Sequence, residues 1–272
     1  MKIISSVLDF FKFKTDYKPI PFGLYHILCL ILTIFACVFL CVKLKNASQK
    51  RIYRAVFYMW LIMFVFEIYK QITYSFSVEN GRLVFNYDWK IFPFQFCSTP
   101  LYVLPLILLT KKNKIGDYLI SYNAFFALFG GLIVMAYPAQ VFSTSLLGIL
   151  IQTMLHHALM ITSSVLCILL SKDKLNFKFF LKGVVVFWIA LIIAQIFNET
   201  LTPIASKEFN MFYVSRHVKT TLVILKDIYD LLPYFLVFFI YVLGFILIAF
   251  LIYAISKICF RKRYNINNEH EK

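Results

Sequence analysis

Seven stretches of this chain are each apolar for long enough to cross a lipid bilayer: residues 22–42, 52–69, 93–109, 116–136, 144–170, 179–198 and 231–255. A helix needs about 20 mostly apolar residues to span a hydrocarbon core roughly 30 Å thick, where every backbone N–H and C=O must be satisfied internally. The pattern predicts an all-α, polytopic membrane protein with seven transmembrane helices. The longest connection, residues 199–230, is too short to bury a core of its own, so no soluble domain is expected. Residues 1–21 are expected to form an interfacial amphipathic segment, because Ile3, Ile4, Val7, Leu8 and Phe11 recur at near-helical spacing among lysines. Residues 22–255 then make the membrane domain, and 256–272 a basic cytoplasmic tail.

A formal charge of +15 raises the question of nucleic acid, but the cations are scattered through short loops between apolar runs, and no nucleic-acid partner is expected. Membrane orientation explains them better. The 1–2, 3–4 and 5–6 loops and the carboxyl-terminal tail hold 17 Lys and Arg, against 11 on the other side. The amino terminus is thus predicted outside and the tail inside, in a plasma-membrane protein whose partners are membrane lipids. Six cysteines show neither a disulfide framework nor CxxC spacing. Five of them read as small buried hydrophobes.

Cys97 has a different setting, in Phe92-Pro93-Phe94-Gln95-Phe96-Cys97. Proline suits the first helical turn, so Pro93 is expected to open a helix running to about Thr110, with Cys97 one turn inside. The positive end of such a helix favours a thiolate. Pro100 and Pro105 disturb the ladder of the same segment, which points to an irregular, cavity-lining helix. Other polar residues interrupt the apolar runs: His26 in the first, Glu67 near the far end of the second, and His156 and His157 in the fifth. Glu67 has Lys70 at hand as an interfacial partner. The two adjacent histidines point about 100° apart, so at most one is expected to face a shared interior. Gly130-Gly131 in the fourth run permits close helix approach, and Asn210 lies in an aromatic loop.

At 1.5 Å per residue, Cys97 and His26 come out about 6 Å below the outer surface, and Glu67 and His157 about 8 to 10 Å below it. If Thr144 marks the surface instead, His157 sinks to nearly 20 Å. A cysteine and a histidine at one depth suit covalent acyl transfer on a lipid ester, with Cys97 as nucleophile and His157 as base. Gln95, His26, Glu67 and Asn210 are the candidate substrate-binding residues. His26, His157 and Glu67 lack metal-site spacing, so neither a metal nor a cofactor is expected. The same polar cluster also suits a non-enzymatic transporter or a solute- or proton-binding protein.

Pro93-Phe94-Gln95-Phe96-Cys97, the 130–138 stretch, His157 before a small residue, Asn198, Asn210 with its aromatics, and Leu232-Pro233-Tyr234 together resemble the YwaF-like bacterial integral membrane proteins. His26 and Glu67 fit the same pattern. The resemblance implies seven membrane helices. It extends to the eukaryotic transmembrane-protein-164 group, acyltransferases that place fatty acyl chains on ether phospholipids through a cysteine. In that branch the cysteine follows the proline directly and histidine comes next, where this chain has Phe94 and Gln95. Cys97 matches the bacterial pattern, with Ser98 in place of an acidic residue.

Overall fold

The computed structural model describes residues 2–111, 113–138, 141–205, 209–220, 222 and 225–270. Helix α1 (Lys2–Phe11) precedes α2 (Leu24–Leu44) and α3 (Gln49–Ser75). A hairpin of β1 (Phe76–Glu79) and β2 (Arg82–Phe85) follows, paired from Phe76–Phe85 to Glu79–Arg82. Its two-residue turn is Asn80-Gly81, both at positive φ, a conformation these two residue types tolerate best. Next come α4 (Pro100–Thr110), α5 (Lys114–Tyr122) and α6 (Leu128–Ala136), the last two joined by a π turn over Asn123–Ala127 into one continuous helix. Helices α7 (Leu147–Leu170), α8 (Phe177–Leu201), α9 (Leu225–Ile228) and α10 (Tyr234–His270) complete the chain.

Among the described residues, six helices are long and apolar enough to cross a membrane: α2, α3, the α5–α6 unit, α7, α8 and α10. The third apolar run does not become a seventh of that length. It yields a shorter apolar helix, Phe96–Thr110, of which only Pro100–Thr110 is α-helical. Pro93 therefore does not open the helix, as the sequence suggested; Pro100 occupies the first helical position, and Cys97 precedes it in a 3-10 turn over Phe96–Ser98. The physical reason is that the 91–97 backbone bonds elsewhere. Ile91 O accepts from Gln71 Nε2, Pro93 O from the Tyr102 hydroxyl, Gln95 O from Ser98 N–H, and Cys97 O from His156 Nε2. Those bonds replace a helical ladder that buried backbone otherwise requires.

The α5–α6 unit and α7 form the centre, with 78% and 72% of their most apolar stretches buried, against 6% for α2. Apolar surface left bare on α2, α8 and α10 belongs in lipid rather than water. Glycines set the tightest approaches. A Cβ on Gly131 would meet Ile161 of α7 at 2.7 Å, and one on Gly130 would meet the Phe96 ring at 2.6 Å, so only glycine lets α6 touch both. At the hairpin end, a Cβ on Gly148 would collide with the Tyr69 hydroxyl, which fixes the register of α3 against α7. Tyr69 also donates to Phe11 O at 2.8 Å, tying α1 down. Residues 13–15 then bond to residues 145–147, so the amino-terminal segment docks at this same end while Ile3, Ile4, Val7 and Phe10 stay exposed.

Candidate functional site

The short turn that carries Cys97 is held on every side. Phe96 packs edge-on against Tyr122, Phe187, Phe212 and Phe245, with ring centroids 4.9 to 6.3 Å apart, a geometry that favours aromatic pairs. One residue further, Cys97 is half-buried as a residue. Thr99 closes the turn by donating to Phe96 O at 2.8 Å, and its hydroxyl lies 2.9 Å from that of Tyr122.

Two histidines from α7 approach from one side, both buried. His156 Nε2 lies 2.9 Å from Cys97 O; a carbonyl only accepts, so Nε2 carries the proton and Nδ1 the lone pair. His157 Nδ1 lies 2.7 Å from Thr153 O, so Nδ1 carries the proton and Nε2 the lone pair. Neither of those lone pairs has a hydrogen-bond partner among the described residues. The rings sit 5.5 Å apart, centroid to centroid. Among the described residues no hydrogen bond joins the Cys97 thiol to either imidazole, and the ring that touches the Cys97 backbone is His156, not His157.

From α3, Glu67 is ion-paired to Lys70 at 2.8 Å and accepts from Gln71 Nε2 at 2.7 Å. Both charges lie near enough to act on the thiol. A buried carboxylate requires such partners. Gln95 holds the 209–215 loop: its Nε2 donates to Asn210 O at 2.8 Å, and its Oε1 accepts from Phe212 N–H at 3.0 Å. Asn210 in turn donates to Val218 O and accepts from Ser215 N–H, while Asn198 brackets Met211 through 2.7 and 3.0 Å bonds. Phe212 and Tyr213 take φ of 57° and 59°, a strained conformation for side chains of this size. Burial, with a smaller contribution from Cys97, pushes the Tyr213 phenol up to about 12.

His26 is not part of this cluster. Its Nδ1 accepts from Phe22 N–H at 2.8 Å and its Nε2 donates to Met135 O at 2.7 Å, joining the start of α2 to the end of α6. The structure thus assembles Cys97, Glu67, Gln95, Asn210 and the histidine pair around one turn, and leaves His26 outside. Lys70 and Tyr213 join the cluster as well. Lys70 was foreseen only as a partner for Glu67, and nothing in Asn210-Met211-Phe212-Tyr213 reveals the positive φ that aims Tyr213 inward. No group of three or more metal-capable side chains occurs among the described residues.

A buried turn between α3, α7 and a returning loop, with a thiol and two half-satisfied imidazoles, is a built polar site within a helical membrane protein. A sequence model of the TMEM164 family matches residues 21–256, which includes every residue of that site. The chain belongs to this family. No curated protein and no solved structure matches it.

Proposed function

We propose that this TMEM164-family protein is a plasma-membrane lipid acyltransferase or hydrolase that works through Cys97. We read it as a seven-span protein with its amino terminus outside. The 11 residues of α4 rise about 16 Å, roughly half the bilayer core, and the irregular 92–99 segment covers the rest of the third crossing. Irregular backbone at that depth is tolerated only where protein satisfies it, and the bonds from Tyr102, Ser98 and His156 to the 93–97 carbonyls support that reading. The Lys and Arg asymmetry supports the orientation.

The reading is carried by a cysteine whose backbone is clamped by His156 while the next residue along α7, His157, keeps a buried Nε2 lone pair without a partner among the described residues. In the proposed reaction, His157 Nε2 takes the thiol proton and the Cys97 sulfur attacks the ester carbonyl of a phospholipid. A carbon–sulfur bond forms, the carbon–oxygen bond of the ester breaks, and the imidazolium returns the proton to the departing lysolipid oxygen. An acceptor hydroxyl, or water in the hydrolytic case, then attacks the thioester and regenerates the thiol. Catalytic hydrogen bonds are often loose until substrate is present, consistent with a thiol that no imidazole yet contacts. Purified protein in lipid nanodiscs, given radiolabelled phospholipid and a lysophospholipid acceptor, is expected to exchange acyl chains and to accumulate a hydroxylamine-sensitive adduct on Cys97. Exchange that persists at full rate in Cys97→Ser rules the nucleophile out.

A further inference from the structure

At the end of the bundle away from Cys97, a cleft of about 450 Å³ opens between the start of α3, the turn joining α4 to α5, and the end of α7. It lies 14 residues of α7, about 21 Å, below His156, so it belongs to no part of the site above. Its volume falls within the range of small-ligand sites. The start of α5 reaches its wall because Gly116 packs on Thr110 O, where a Cβ would come within 2.6 Å.

The lining consists mainly of donors. Lys111, Lys114 and Lys174 line it with a single carboxylate, Asp117, for a net charge of +2 among the described lining residues. That carboxylate is already bonded to Lys174 at 2.7 Å and Lys182 at 2.9 Å. Lys114 has no ion-pair partner among the described residues, and Lys111 rests 6.0 Å over the Tyr53 ring. The Tyr53 hydroxyl and the Asn113 NH2 group also lack hydrogen-bond partners there, since Asn113 uses its Oδ1 to cap α5. Among the described residues, two ammonium groups without an ion-pair partner, a hydroxyl and an amide line a space whose one carboxylate, Asp117, is already paired. The lining comes from helix ends and the turns between them, at the face that the Lys and Arg count assigns to the inside, where anionic headgroups are found.

We propose that this cleft binds a phosphate-bearing anion, with Lys111 and Lys114 neutralising it and Tyr53 and Asn113 donating hydrogen bonds. The phosphate belongs either to an anionic lipid of the adjoining leaflet or to a soluble phosphate ester, and the two sources separate experimentally. Full-length protein in phosphatidylcholine nanodiscs is titrated with pyrophosphate by calorimetry. A parallel arm adds phosphatidylglycerol and counts retained lipids by native mass spectrometry. Saturable pyrophosphate binding identifies a soluble ligand. Phosphatidylglycerol retention that pyrophosphate does not displace identifies a lipid headgroup, and both results support the site. Lys111→Gln with Lys114→Gln is expected to weaken the bound species about 30-fold, on the scale of about 1 kcal/mol per lysine near an anionic surface. Lys172→Gln with Lys178→Gln removes the same charge from the same end outside the cleft, and should change affinity by less than about twofold. Equal weakening by both double variants, or saturable binding of neither probe, overturns the proposal.

Discussion

His26 and the His156–His157 pair are buried to the same degree, yet they do different things with their nitrogens. His26 engages one backbone N–H and one carbonyl, so both ring atoms are used and a single tautomer is locked. His156 and His157 each engage one carbonyl and leave a lone pair bare in the interior. Burial therefore does not separate these imidazoles; what distinguishes them is a ring nitrogen left without a partner among the described residues, which the proposed chemistry puts to use. An unpartnered buried acceptor costs about 1 to 3 kcal/mol, a penalty that a purely structural residue has no reason to carry.

Four substitutions test that contrast. Cys97→Ala removes the nucleophile and should lower acyl exchange by more than about 10³-fold, with helical content and melting unchanged. His157→Gln keeps a polar side chain of similar length but loses the basic ring nitrogen; exchange should fall by about 10² to 10⁴-fold while melting stays close to that of the parent. Full activity in that variant would move the base to His156 Nδ1. His26→Ala should do the opposite, costing about 2 to 3 kcal/mol by leaving Phe22 N–H and Met135 O unsatisfied, read by unfolding in mixed micelles. Exchange per folded molecule should not change, and a specific loss of rate would erase the distinction between the two histidine settings. Gln95→Leu has the smallest expected effect: release of the 209–215 loop, seen as about tenfold faster amide exchange at Phe212, with a modest loss of activity through displaced Tyr213.

The sequence made some of this legible and hid the rest for identifiable reasons. Gly130-Gly131 announced its close helix contact, because that rests on what a missing side chain permits locally. The 93–99 segment misled. Pro93 and Pro100 are equally good helix openers on paper, and only the bonds from Gln71, Tyr102 and His156 show which backbone groups the helix has to satisfy. His156 and His157 could not be told apart by periodicity, since neighbours on a helix differ by 100° whichever way the helix is turned. His26 and Cys97 were expected at one level, and a shared depth does not say which groups each side chain bonds: His26 holds Phe22 N–H and Met135 O.

What the sequence alone determined is the solvent: the length and purity of its apolar runs leave a bilayer as the only medium in which such surfaces are stable, and that requirement is local and additive along the chain. Which polar groups share a site was decided by tertiary structure, because it depends on helix rotation, on glycine-permitted approach distances and on a loop that returns from beyond residue 198 to lie against residue 95. Those are relations between distant segments, and no window of sequence contains them.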